Sequence, residues 1–444
     1  MVQRQAADVL AAAVLALPSA ASRPGQTRMA EAVAEAFSAR EHLLVQAGTG
    51  TGKSLAYLAG VLAEDRRAVV STATLALQAQ LVDTDLPRML DAVAPLLGRR
   101  PVAALLKGRA NYLCLLQLRQ PAASDGQAVL EETERRPSSR METQFADLHA
   151  WAESTTTGDR DELDWTPDPT VWRAVSVSAR DCVGARRCPH GEDCFAEAAR
   201  ERARQADVVV TNHSLLALDL LSEGQILPEH DVVVVDEAHE LVDRVTDQAA
   251  DQLTDRGVRQ AFTRAGRALP DELHERLDAA ASGFRDAIAA VPPGRLTSLP
   301  AALAGPLSLL GSASADAAGA VPEDTKGATI EEVARRQQTR ALLYGVAEFA
   351  RRVADAREDD VVWVEANERG EHLLKVAPLD VSQRLANGLF SRHPVVATSA
   401  TLAIGRRFEP IAHAFGLSDD LRRMPGDDTS AQSGDGDRDG AGTT

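Results

Sequence analysis

Residues 42–63 read HLLVQAGTGTGKSLAYLAGVLA, and no other stretch restricts the fold as strongly. The apolar run at 42–47 has the length and composition of a short buried strand. Gly48, Gly50 and Gly52 follow, and KSLAYLAGVLAE then carries helical spacing. Strand, glycine turn and helix N-terminus in that order build a phosphate cradle. Glycines let the backbone curl so that successive N–H groups point at anionic oxygens. The positive end of the helix adds to the attraction. The usual spelling is Gly, four residues, then Gly-Lys-Ser/Thr; here Ala47 holds the first position. The stretch Ala47, Gly48, Thr49, Gly50, Thr51, Gly52, Lys53 and Ser54 is read as binding ATP. Lys53 then reaches the β- and γ-phosphates, and Ser54 ligates Mg2+. A flexible turn before a helix would use the same glycines but does not call for this flanking strand and helix.

The strand signal recurs along the chain. RAVVST at 67–72, DVVVTNH at 207–213, DVVVVDEAH at 231–239 and HPVVATSAT at 393–401 are short and Val-rich. TLALQAQLVDTDLPRML reads as a helix that Pro87 ends or bends. Strands alternating with helices predict an α/β fold with a parallel sheet covered on both faces. Two stretches interrupt the pattern. Residues 107–205 hold all four cysteines and the loop-like STTTGDRDELDWTPDPT, and residues 240–360 are rich in Ala, Arg, Asp and Glu at helical spacing. Both are read as insertions into one α/β domain. The Gly/Asp/Ser-rich segment from residue 418 onward is predicted to be disordered.

Charge narrows the function classes. The net charge of −17 gives no global basic footprint for nucleic acid, though it leaves room for a local groove. Residues 96–120 carry Arg99, Arg100, Lys107, Arg109 and Arg119 and no acid. Lys53, Lys107, Lys326 and Lys375 are the only lysines in an arginine-rich chain, which marks position 53 as one where arginine would not serve. No apolar run approaches the ~20 residues of a membrane span. The opening MVQRQAADVLAAAVLALPSA reads as a surface helix rather than a signal peptide, so a cytoplasmic protein without membrane partners is expected.

VVVVDEAHEL places Asp236 and Glu237 at the carboxyl end of a buried strand, where open α/β sheets bind ligands. Asp236 is placed to hold Mg2+ through water, and Glu237 to orient and deprotonate an attacking water, a division that suits phosphoryl transfer. The plainer alternative is a solvated helix start with acids favoured by the dipole. Together the two boxes resemble superfamily 2 helicases of the DEAH type, and the resemblance adds His239 to the catalytic set. RPGQTRMAEAVAEAF resembles the adenine-reading segment of such proteins, with Gln26 as the adenine contact. STATLALQAQL resembles the motif in which Thr72 and Thr74 approach the DNA backbone. TSATL resembles the motif in which Ser399 and Thr401 couple hydrolysis to strand movement.

Cys114 and Cys182 are separated by 67 residues, and five residues separate Cys182 from Cys188 and Cys188 from Cys194. A cytoplasmic chain rarely keeps disulfides, so the set reads as a metal site. Zinc ribbons use closer cysteine pairs than any present here, whereas four thiolates suit a [4Fe–4S] cluster. A Cys3His zinc site through His190 would leave one cysteine unused, and unligated thiols are the third possibility.

LKGRANYLC followed by CVGARRCPHGEDC resembles the iron–sulfur helicases of the DinG/XPD family, with the bacterial DinG branch nearest, over roughly residues 20–417. The resemblance implies a RecA-like motor domain beginning at 1–106, an iron–sulfur insertion at 107–205, and the motor with its DEAH box at 206–240. It then implies a helical arch at 241–360 and the motor's end at 361–417, before the tail at 418–444. It further implies ATP-driven 5′→3′ unwinding, with single-stranded DNA and 5′-tailed duplex as partners and a pore between cluster domain and arch. Lys107 and Arg109 become phosphate contacts, and Tyr112 belongs either on a base or in the core. The family also has a second RecA-like domain with a Gln-x-x-Gly-Arg-x-x-Arg box after TSAT. No match to that box follows Thr401, so a chain truncated near residue 418 is expected. Two rival readings are a non-catalytic ATP- and DNA-binding remnant and an unrelated P-loop ATPase or kinase with structural zinc.

Overall fold

The computed structural model describes residues 5–16, 23–48, 50–73, 78, 80–119, 139–179, 181–266, 269–322, 328–356, 358–367, 370–405 and 407–417. Thr49, Thr74 and the tail expected to be disordered lie outside the described residues. The described strands are β1 (Leu43–Gln46), β2 (Ala68–Thr72), β3 (Ala103–Leu105), β4 (Val208–Asn212), β5 (Val232–Asp236), β6 (Asp251–Thr254), β7 (Gly294–Leu296), β8 (Asp360–Ala366), β9 (His372–Pro378) and β10 (Val395–Ser399).

Six of them form one parallel sheet in the order β1-β10-β5-β2-β4-β3. Alternate side chains on a strand face opposite ways, and here both sets are apolar. Val70, Val208, Val210, Val232, Val234 and Val396 enter one core, against helices Ala6–Leu15, Pro24–Ala39, Lys53–Ala63 and Leu86–Leu97. Val69, Val209, Val233, Val235 and Ala397 enter the other, against helices Phe195–Arg204, His213–Leu221 and Leu241–Ala249. The expected two-sided parallel sheet is therefore present. The register sets Gln46 beside Ser399, Thr398 beside Asp236, and Thr72 beside Asn212, so the carboxyl ends of five strands meet along one edge.

Two readings need correction. Pro87, expected to end or bend its helix, does not end it: it lies in the first turn of the α-helix Leu86–Leu97, directly after a π-helical turn over Gln80–Asp85, so the helix changes pitch there. The second insertion also does not stop at 360. It contains an antiparallel sheet in the order β6-β9-β8-β7, and β8 and β9 run from Asp360 to Pro378. Leu253, Val362, Val364, Leu374 and Val376 of that sheet share a core with Phe284, Leu310 and Phe349 from the insertion's long helices. The hydrophobic faces of β8 and β9 thus belong to the insertion.

Candidate nucleotide site and thiol cavity

At the carboxyl edge of the sheet, the glycine loop bends back into the helix Lys53–Ala63. Gly50 and Gly52 hold left-handed backbone, φ 75° and 78°. A Cβ on Gly52 would lie 1.8 Å from Gln26 Nε2, the end of a side chain that can give way, so the left-handed backbone is what calls for glycine there. Thr51 closes the loop, its N–H and Oγ1 donating to the Gly48 carbonyl at 3.4 and 2.8 Å. Ala47 N–H donates to the Ser399 carbonyl at 3.0 Å and ties the loop's entrance to β10. Gln26, read as an adenine contact, donates to the Gly52 carbonyl at 3.2 Å and is buried. The guanidinium of Arg23 donates to the Gly50 carbonyl.

Lys53 Nζ lies 2.6 Å from Glu237 Oε1 and 3.7 Å from Asp236 Oδ1. The phosphate loop and the acidic turn, 184 residues apart in sequence, therefore meet directly. Asp236 is buried; Tyr57 OH donates to its Oδ2 at 3.3 Å and Glu237 N–H to its Oδ1 at 3.0 Å. Burial pushes the Asp236 carboxyl up, against the pull of Lys53. Burial works the same way on Glu237, but there the Lys53 hydrogen bond and charge prevail and its carboxyl lies below the ordinary value. Glu237 also has left-handed backbone, φ 55°.

Ser399 Oγ donates to Glu237 Oε2 at 3.1 Å and accepts from Thr401 N–H at 3.2 Å. His239 Nδ1 lies 2.9 Å from the same hydroxyl. Since the one hydroxyl proton goes to Glu237, Nδ1 of His239 carries the hydrogen in this arrangement. Thr72 is buried at the end of β2 beside the site. Tyr57 escaped the sequence reading although it sits four residues after Lys53, a helical spacing that puts both on one face.

The expected phosphate contacts are placed differently. Lys107 is 5% exposed and its ammonium lies 2.6 Å from Asp159 and 2.9 Å from Asp161. Arg109 pairs with Glu197. Both cations are committed to carboxylates that the basic run itself does not contain. Tyr112 is in the core, its OH accepting from Lys107 N–H at 3.1 Å.

Cys114, Cys182, Cys188 and Cys194 line one cavity together with Arg109, Leu113, Val183 and His190. Cys114 N–H donates to the Val175 carbonyl at 2.8 Å, and Cys188 N–H to Gly184 at 3.1 Å, so backbone turns present the thiols. Among the described residues no three His, Cys, Asp or Glu side chains draw in to the spacing of a single ion. Four sulfur donors on one cavity are a donor set that either a [4Fe–4S] cluster or a zinc ion would take. Burial first, then the neighbouring thiols, pushes the Cys114 thiol up to about 11. Next to this cavity, Gln338 Nε2 of helix Ile330–Ala354 donates to the Asp181 carbonyl at 2.9 Å. A groove of about 320 Å³ lined by Asp181, Cys182, Arg187, Gln337 and Arg340 runs along this junction.

A glycine loop facing an Asp-Glu turn across the carboxyl edge of a parallel sheet defines a P-loop, RecA-like α/β domain. No protein-family model matches the chain. It is 44% identical over 439 residues to the ATP-dependent helicase DinG of Mycobacterium tuberculosis H37Rv, which covers 93% of this chain. It is 37% identical over 246 residues, 54% of the chain, to the ATP-dependent DNA helicase YoaA of Escherichia coli K12. A solved structure titled XPD_Helicase covers 90% of the chain at 13% identity, with a TM-score of 0.48. By sequence the chain is thus homologous to the DinG and YoaA helicases, and it spans 64% of the length of the mycobacterial protein and 36% of YoaA.

Proposed function

We propose that this chain is the ATP-binding motor portion of a DinG-type DNA helicase, which couples ATP hydrolysis to 5′→3′ unwinding of DNA. The observation that carries the reading is the continuous contact from Lys53 through Glu237 to Ser399, which links the phosphate loop, the acidic turn and the end of β10. Bound Mg–ATP supplies the transferable phosphoryl group. Ser54 and Asp236 hold the Mg2+, and Gly48 to Gly52 with Lys53 hold the phosphates. Lys53 leaves Glu237 for a phosphate oxygen, which frees Glu237 to orient and deprotonate water. Ser399 keeps that carboxylate aimed, while His239 and Thr401 fix the hydroxyl of Ser399. Gln26 reads the adenine from beside Gly52.

The four cysteines hold a [4Fe–4S] cluster that organises the first insertion. Single-stranded and 5′-tailed DNA pass the groove at the junction of thiol loop and long helix, where Arg187 and Arg340 meet phosphates, and run on toward Thr72 at the end of β2; Thr74, the other expected backbone contact, lies outside the described residues. No described helix is long and apolar enough to cross a membrane, and the cytoplasm supplies both DNA and a reducing medium for the thiols.

The test is phosphate release from Mg–ATP by this chain with and without single-stranded DNA, alongside strand release from a 5′-tailed duplex. DNA-stimulated release that is lost in Glu237→Gln is the expected result. Binding of both ligands without turnover would leave the chain as an ATP- and DNA-binding unit. Absence of DNA binding would overturn the helicase reading.

A further inference from the structure

Tyr57 takes no part in the steps above, although it touches a residue assigned to the metal. It lies in the helix Lys53–Ala63 and is 0% exposed. A helical side chain leans back over the turn before it, and the positions three and four residues earlier share its face. For Tyr57 these are Ser54 and Lys53. The phenol is therefore directed toward the phosphate loop, and its OH donates to Asp236 Oδ2 at 3.3 Å. Glu237 N–H donates to the other oxygen, Oδ1, at 3.0 Å, and Lys53 Nζ stands 3.7 Å from it. Two different elements thus grip one carboxylate, the helix at Oδ2 and the acidic turn at Oδ1. Packing alone does not call for the hydroxyl, since Phe would fill the same space.

The surroundings of Asp236 fit a hydrated divalent cation. Thr398 is in register with Asp236 on the next strand. Alternation sends both side chains, like Val234 and Val396, toward the helix Lys53–Ala63. Thr398 is 0% exposed, and its Oγ1 has no hydrogen-bond partner among the described residues. Buried hydroxyls are nearly always paired, so one held beside a buried carboxylate suits the water of a bound ion.

We propose that Tyr57 is a positioning residue for the metal: by holding Oδ2 it fixes the rotation of the Asp236 carboxylate, and so sets how Asp236 receives the Mg2+ it shares with Ser54. This rests on the Mg–ATP-binding reading given above. The torsion that turns an aspartate carboxylate is broad, so without the hydroxyl Asp236 loses its set direction while helix and sheet stay packed. Losing the hydrogen-bond partner of a metal-holding group typically costs about 10- to 100-fold in metal affinity. Contact through water puts the loss here at the lower end, about tenfold.

Calorimetric titration of the full chain with a non-hydrolysable ATP analogue, in Mg2+ and in EDTA, gives the factor by which the metal tightens binding. Tyr57→Phe keeps the ring and removes only the OH; the factor falls about tenfold while affinity in EDTA is unchanged. A merely structural phenol would lower both affinities together or neither. Asp236→Asn removes the group through which Tyr57 acts, so adding Tyr57→Phe to it changes the factor no further. Site-specific 3-fluorotyrosine in place of Tyr57 keeps the hydroxyl and serves if the Phe variant does not fold: its fluorine NMR signal shifts when Mg2+ is added to the analogue complex. A full metal factor in folded Tyr57→Phe, an additive effect in the double variant or an unmoved fluorine signal overturns the proposal and leaves the functional reading standing. A parent chain whose analogue binding ignores Mg2+ overturns the proposal without touching ATP binding. A parent chain that fails to bind the analogue overturns both.

Discussion

Ser399 Oγ donates its hydrogen to Glu237 Oε2 across 3.1 Å, joining the last residue of β10 to the acidic turn after β5. The bond links two strands that are neighbours in the sheet but 162 residues apart in sequence. Glu237→Gln keeps the shape and loses the base, so ATP still binds while turnover falls about 10²-fold or more. Ser399→Ala leaves the base but frees its carboxylate, and turnover falls about tenfold, the equivalent of one hydrogen bond. Parallel binding and single-turnover measurements separate the two. An equal loss in both variants would mean that Ser399 does more than aim Glu237.

Lys53 holds Glu237 in the absence of nucleotide, so Lys53→Ala acts on two groups. It removes the loop's cation, and Mg–ATP affinity falls about 10- to 100-fold, as expected for a charged hydrogen bond of about 1.5–3 kcal/mol. It also removes the charge that restrains the buried Asp236, whose carboxyl rises further. Calorimetry reads the first effect. Unchanged ATP affinity would move the phosphate site elsewhere.

The parallel sheet was legible because its strands are Val-rich runs bounded by turn residues, and β2, β4, β5 and β10 fall within the predicted spans. β3 was not: Ala103–Leu105 is a three-residue edge strand inside a basic run, too short to show a period. The second sheet was hidden for another reason. β6 and β7 are polar and short, and β8 and β9 read as strands only once their partners, more than sixty residues earlier, are known. The meeting of Lys53 with Asp236 and Glu237 was foreshadowed by a glycine turn before a helix and an acidic pair at a strand's carboxyl end. The ion pairs of Lys107 and Arg109 were not, because Asp159 and Glu197 arrive through tertiary folding.

His393 stacks on His230, with ring centroids 4.2 Å apart, at the opposite end of β10 from the nucleotide site. Burial first, then the charge of His230, lowers its pKa from 6.5 to about 4. The unfolded chain therefore binds the extra proton between about pH 6.5 and pH 4, and stability falls as pH falls through that window. At pH 5 the loss is about 1–2 kcal/mol after allowance for partial exposure. His393→Phe keeps the stack and removes the titration. Urea midpoints at pH 7.5 and pH 5 should differ less in the variant than in the parent; an unchanged difference would assign the acid sensitivity to other groups.

Lys107 belongs to the fold of the first insertion. Lys107→Met leaves Asp159, 7% exposed, without its cation, and breaking one side of a buried pair costs about 3–5 kcal/mol. Thermal unfolding should fall sharply, with little change in the salt dependence of single-strand binding by protein that remains folded. A reduced salt slope at unaltered stability would restore Lys107 to the DNA path.

The thiol cavity gives a test whose sign depends on loading. In metal-free protein the Cys114 thiol titrates at about 11, above the ordinary value of 9.0, because burial penalises the thiolate. A raised folded-state pKa stabilises the fold below the unfolded value and loses that contribution as pH rises toward 11. Chelated protein should therefore weaken from about pH 9 upward. Ligation requires thiolates, so loading expels protons, and the loaded protein should weaken on acidification instead. Anaerobic purification should yield iron and sulfide together with the brown visible absorbance of an iron–sulfur cluster. Cys188→Ser should lose that absorbance and loosen residues 107–205 while Mg–ATP affinity at Lys53 stays unchanged. Zinc without iron in the anaerobic protein would refute the cluster. Zinc would still expel protons on loading, so metal content, and not the pH profile, decides between them.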